Sequence, residues 1–173
     1  GCSDSNSYTV TLQNPPISAT VSSVSGCIPA TVNFSAAPTI PTGSTVTNYS
    51  WTFGDGSPVV NTLSNNTSHT YTAVGSYIAG VSITTNEGCS NAFTYNPIAF
   101  GTAPVNLVAY PDKLIYCGSE TPVFVSKATN ANSYFWDFGD GSTAFVTDTI
   151  TQHYYTTLGT KTITVTPYYN GCI

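Results

Sequence analysis

Two histidines, six aspartates, two glutamates and five cysteines carry most of the conventional chemistry open to this 173-residue chain. His69 or His153 could serve as a general base, and Asp55, Asp137, Asp140 and Asp148 are the carboxylates placed to join one in acid–base work. Their spacing argues for another role. His69-Thr70-Tyr71, followed by Gly75, returns further along the chain as His153-Tyr154-Tyr155, followed by Gly159. Catalysis rarely needs its base twice in one chain, whereas a fold needs its structural residues in every copy. Asp137 has Thr52 at its counterpart, and Asp55 and Asp140 each sit in Gly-Asp-Gly, where a tight turn already accounts for them. No Ser-centred nucleophile elbow is present. The chain is therefore expected not to be an enzyme.

The cysteines fall into matched places. Cys27 and Cys117 each precede a strand pattern, and Gly88-Cys89 recurs as Gly171-Cys172. The expected disulfides are Cys27–Cys89 and Cys117–Cys172. Each would close a loop of about 60 residues, which chain entropy values at roughly 4 kcal/mol. Neither a Cys-x-x-Cys spacing nor a Cys/His cluster suggests zinc. Cys2 has no partner in view, and is left unpaired or available for an intermolecular bond. Disulfides persist outside the reducing cytosol, so the expected location is extracellular, at the cell surface or secreted.

These residues are positioned by a repeat. Trp51-Thr52-Phe53-Gly54-Asp55-Gly56-Ser57 reappears as Trp136-Asp137-Phe138-Gly139-Asp140-Gly141-Ser142, at nearly the same offset as the histidine landmark. Three landmarks in one order mark a unit present twice. Gly1-Cys2-Ser3 matches the last landmark once more, so residues 1–15 read as the final strand of a preceding unit plus a linker. Tyr8, Val10 and Leu12 alternate there with Thr9, Thr11 and Gln13. Residues 16–101 read as the first full unit, and residues 102–173 as a second one without its final strand. That shared cut point raises the idea of strands exchanged between chains.

Composition fixes the class. Charged residues make up 6%, so the surface is solvated chiefly by Ser, Thr and Asn. Thr, Val, Ile, Tyr and Phe are plentiful and the helix builders scarce, which reads as all-β. Three lysines, no arginine and a net charge of −5 argue against nucleic acid and against docking on anionic lipid. No apolar run is long enough to insert into a bilayer. In the first unit we expect strands near Ser18–Ser25, Ala30–Ala36, Thr47–Phe53, Thr67–Tyr71, Ser76–Thr84 and Asn91–Phe100. In the second they fall near Val105–Tyr110, Pro122–Ala128, Ser133–Phe138, Thr149–Tyr155 and Thr160–Pro167. Short, turn-bounded strands of this kind build a sandwich.

The run Trp-x-Phe-Gly-Asp-Gly, then His-x-Tyr and a Gly-led alternating strand, resembles the polycystic kidney disease (PKD) repeat. Its motif residues here are Trp51, Phe53, Gly54, Asp55, Gly56, His69 and Tyr71, and Trp136, Phe138, Gly139, Asp140, Gly141, His153 and Tyr155. The Gly-Cys landmark and Cys27-Ile28-Pro29 resemble repeats of large surface proteins of Bacteroidota, although Cys117-Gly118-Ser119 departs from that pattern. The resemblance implies tandem, antiparallel Ig-like β-sandwiches, here with one disulfide each, acting as semi-rigid spacers in an adhesin- or stalk-like surface protein. The alternative it implies is a carbohydrate- or protein-binding accessory module of a secreted hydrolase. Partners would be neighbouring repeats, with surface glycans or other cell-surface proteins as further candidates. Exposed aromatics such as Tyr168 and Tyr169 offer rings for sugars. No cofactor is expected; calcium is the one metal the family allows, but no Asp-rich loop is present to supply six or more oxygens.

Overall fold

The computed structural model describes residues 5–8, 14–118 and 120–173. Cys2, Val10 and Leu12 lie outside them. Among the described residues there is no helix; sixteen strands form the fold. In chain order, the first ten are β1 (Ile17–Val21), β2 (Ser25–Cys27), β3 (Ala30–Pro38), β4 (Val46–Thr52), β5 (Val60–Thr62), β6 (Asn66–Tyr71), β7 (Gly75–Tyr77), β8 (Gly80–Thr85), β9 (Ser90–Thr94) and β10 (Ile98–Gly101). The remainder are β11 (Val105–Pro111), β12 (Val123–Thr129), β13 (Ser133–Asp137), β14 (Thr143–Val146), β15 (Ile150–Gln152) and β16 (Thr164–Tyr168). Five sheets run in the orders β1-β3-β6, β5-β4-β8-β9, β2-β10-β7, β11-β12-β15 and β14-β13-β16.

Two compact units divide the described chain. The first takes residues up to 21 with Asn33–Ser68 and Ile78–Asn96; the second takes Ser22–Val32, His69–Tyr77 and Pro97–Ile173. In the first unit, alternation sends Phe34 and Ala36 of β3 inward, and Tyr49 and Trp51 of β4 likewise. The Phe34 ring stands 6.3 Å from Trp51, 5.4 Å from Phe53 and 5.4 Å from Tyr95. That aromatic cluster holds two sheets together. In the second unit Phe124 of β12 does the same work, 5.6 Å from both Trp136 and Phe138. Tyr134 completes the buried set, with Ala128, Val146, Ile163 and Val165 around it.

Several expectations change. Ser76–Thr84 is two strands, β7 and β8, broken where the chain passes Gly54 against the backbone of Ile78. Asn91–Phe100 also divides, into β9 and β10, at Pro97, which has no N–H for a ladder. β5 and β14 are additional: each folds back on the strand ahead of the Gly-Asp-Gly turn, pairing Trp51 with Val60 and Trp136 with Ala144. Among the described residues the strand pairs are antiparallel with one exception, β10, which runs parallel to β2.

The disulfide assignment is corrected. Cys27 bonds Cys172, with 4.7 Å between their Cα atoms, and Cys89 and Cys117 are free thiols. The expected Cys27–Cys89 and Cys117–Cys172 bonds are not formed. Cys27 ends β2, where its Cα partner is Gly101 of β10. The turn carrying Cys172 lies on the same strand, because the Gly26 N–H donates to the Asn170 carbonyl at 3.0 Å. Cys89 belongs to the other compact unit, in the β8–β9 turn, where its carbonyl accepts from the Thr85 N–H.

Candidate functional site: the Gly-Asp-Gly turns and their histidines

In each copy the Gly-Asp-Gly turn follows the end of a central strand, β4 in the first and β13 in the second. Trp51 and Phe53 are buried, and the backbone leaves the sheet at Gly54 with φ 79°. A Cβ at Gly54 would strike the Ile78 backbone, so this position needs glycine twice over, for its dihedral and for its contact. Asp55 closes the turn by accepting from the Ser57 N–H at 3.1 Å and its hydroxyl at 2.6 Å. Gly56 follows with φ 83°.

The second copy repeats this and adds to it. Trp136 and Phe138 are buried, and Gly139 approaches the Thr162 backbone as Gly54 approaches Ile78. Asp137, which has no counterpart in the first turn, accepts from the Gly139 N–H at 2.9 Å. Asp140 Oδ1 accepts from the Ser142 N–H at 2.9 Å, while Oδ2 pairs with His153 Nε2 at 2.8 Å. His153 lies flat on Phe138 (centroids 4.1 Å apart, 8° between planes) and meets Tyr155 edge-on at 4.6 Å. The Tyr155 hydroxyl donates to the Phe138 carbonyl at 3.0 Å and so ties the corner. His69 likewise meets Tyr71 edge-on, at 4.8 Å.

The Asp140–His153 pair has the wrong order for nucleophilic catalysis. In a triad the histidine bridges serine and aspartate. Here Asp140 is the centre, accepting from both His153 and Ser142. Its hydrogen bond from His153, with those from Ser142, holds the carboxyl down to about 2. The lowered value means that the folded state favours the carboxylate. Its contribution is complete above the ordinary Asp value of about 4 and is lost as pH falls towards 2. NMR titration of the Asp140 carboxyl is expected to give a midpoint near 2. Asp140→Asn should flatten the acid loss of stability between about pH 4 and 2.

Tyr71 is fully buried, stacked on Tyr77 at 4.6 Å and tilted against Phe100 at 5.2 Å. The Tyr77 hydroxyl donates to the Ala73 carbonyl at 2.6 Å. The motif reading missed Tyr77, Phe100, Phe34 and Phe124. The i, i+2 alternation of Ile98 with Phe100 was the available signal for one of them. Tyr168 and Tyr169 are half-buried rather than exposed. Among the described residues no three His, Cys, Asp or Glu side chains gather closely enough to hold a metal ion.

The PKD domain family model matches residues 12–98 and, a second time, residues 102–168. The chain belongs to the PKD domain family. Its two matches carry the two motif turns just described. Among solved structures, these PKD repeats resemble the fibronectin(III)-like modules of Clostridium thermocellum CbhA at 12% identity and a TM-score of 0.56, over 89% of this chain and 88% of that one. A structure from work on the promiscuous specificity of carbohydrate-binding modules of the β-sandwich superfamily matches at 15% identity and a TM-score of 0.50, over 92% and 85%. Identities this low establish a shared β-sandwich fold and no more.

Proposed function

We propose that these tandem PKD repeats are a non-catalytic spacer in a repetitive extracellular surface protein, adhesin- or stalk-like, of the kind found in Bacteroidota. One observation carries the reading. The residues that recur in both PKD matches, the buried Trp/Phe pairs and the Gly-Asp-Gly turns, are spent on core packing and turn closure. On this reading residues 16–101 and 102–173 are successive modules, residues 1–15 belong to the one before, and the partners are neighbouring repeats. A display experiment tests it. With the fragment placed between a cell anchor and a distal binding domain, capture of an immobilised target should exceed that of a Gly/Ser linker of equal length. Equal capture would remove the spacer role.

A second reading, a glycan-binding accessory module, is favoured by one feature. Phe145 is exposed, faces Phe135 across the β13–β14 ladder, and lies 5.4 Å from the Tyr168 ring. The first copy has Ser50 opposite Asn61 at the places of Phe135 and Phe145. Affinity electrophoresis through polysaccharide gels separates the two. The spacer reading expects unchanged migration, and retardation abolished by Phe145→Ala would favour the second.

A further inference from the structure

We propose that Cys27 is a site of reversible S-thiolation: a small-molecule thiol displaces Cys172 from the Cys27–Cys172 bond, and Cys172 displaces the thiol again when the thiol is withdrawn.

The two halves of the bond stand in different surroundings. Cys27 ends β2, an outer strand of the β2-β10-β7 sheet, and is exposed. Cys172 has no solvent exposure. Exchange begins when a thiolate reaches one of the two sulfurs, and access decides which one is attacked. Of the two residues only Cys27 is open to a thiolate arriving from solvent. In the step, the thiolate's electron pair forms a bond to Cys27 Sγ. The pair of the old bond leaves on Cys172 Sγ, which takes a proton from water. The small thiol is oxidised and Cys172 is reduced. One disulfide forms for each one broken, so no further oxidant is needed.

The displaced thiol stays beside the sulfur it left. Tyr169 and Cys172 close a two-residue turn with reciprocal N–H to carbonyl bonds of 2.9 Å. That turn is seated on β2 and β10 by contacts that do not depend on the disulfide. The Gly26 N–H donates to the Asn170 carbonyl at 3.0 Å, and the Asn170 side-chain amide donates to the Phe100 carbonyl at 3.4 Å. Gly101 lets the chains close up, since a Cβ there would strike the Tyr169 ring and carbonyl. A thiol held in this way returns to Cys27 by an intramolecular reaction, which is favoured over attack by a thiol in dilute solution. The adduct therefore persists only while the small thiol is in excess. Capture opens the covalent link between β2 and the 169–172 turn, and leaves in place the group that restores it.

The probe is reduced glutathione, added in excess to the oxidised Cys89→Ser/Cys117→Ser chain, and in parallel to the wild-type chain with Cys89 and Cys117 alkylated. The reaction is quenched with acid and read by peptide mapping. The adduct should fall on Cys27 about tenfold more often than on Cys172, with Cys172 recovered as a thiol. In urea, where both sulfurs meet solvent, the ratio should drop to about one. After glutathione is removed, the native chain should regain the Cys27–Cys172 bond about tenfold faster than the chain in urea. Absence of an adduct, adducts shared equally in the native chain, a ratio unchanged in urea, or an adduct that outlasts the removal of glutathione would each overturn the proposal.

Discussion

Trp51→Ala is expected to destabilise the first repeat by about 3–5 kcal/mol, a large part of the ~5–15 kcal/mol that stabilises a typical domain. Trp51 has no solvent exposure and sits in β4, between β5 and β8 of its sheet. Its ring is stacked beside Tyr49 at 6.4 Å and tilted against Phe34 at 6.3 Å. Removing it leaves a void lined by rings that cannot close over it without pulling β4 from its neighbours. Trp136→Ala should cost a similar amount by the same route, through Phe124 and Phe138. The chain has two tryptophans, so each variant keeps one indole as the reporter of the other core. Urea titration of Trp51→Ala should lower the midpoint by circular dichroism more than by the remaining Trp136 fluorescence. Trp51→Phe, which keeps most of the apolar volume, should cost much less. A loss below about 1 kcal/mol for Trp51→Ala would match a surface substitution and remove Trp51 from the core.

That prediction was legible in the residues themselves. Trp51 and Phe53 stand two apart in a pattern that occurs twice, and a period of two in a half-buried strand can only place both on one face. Gly54 and Gly139 were legible as turn residues, but their close approach to Ile78 and Thr162 was not, since whole strands intervene in sequence between each glycine and its partner. β5 and β14 carried no signal of their own. They are strands because the turn ahead of them folds them onto β4 and β13, a tertiary effect that three or four residues cannot announce. The sheet formed by β2, β10 and β7 was hidden for a related reason: β2 and β7 are three residues each, and they pair with β10 rather than with each other. The cysteines make the limit clearest. Register within a repeat says that Cys27 is equivalent to Cys117 and Cys89 to Cys172. It does not say which member of one class faces which member of the other. Pairing inside a repeat and pairing from one repeat to the next satisfy the same equivalences, and only the approach of the Asn170–Cys172 turn to β2 decides between them.

Pairing across the repeats has a large mechanical consequence. Cys27 and Cys172 are separated by 145 residues, and a link of that span removes about 5 kcal/mol of conformational freedom from the unfolded chain. Cys27→Ser should therefore cost several kcal/mol, whereas Cys89→Ser and Cys117→Ser should cost little, and peptide mapping should recover Cys27 joined to Cys172 with Cys89 and Cys117 alkylated. Force separates the two pairings more sharply. Stretched from its ends, the oxidised chain can release only the residues outside the bond, because the 145-residue span is short-circuited. Reduction frees that span, adding about 500 Å of contour length at roughly 3.5 Å per residue. Pairing as Cys27–Cys89 and Cys117–Cys172 would instead leave the stretch between residues 89 and 117 extensible in the oxidised chain, an extra length of about 100 Å. A single-molecule trace with that extra step under oxidising conditions would refute the Cys27–Cys172 bond. A trace without it, lengthening by the full span on reduction, means that residues 28–171 extend only after the bond is cut.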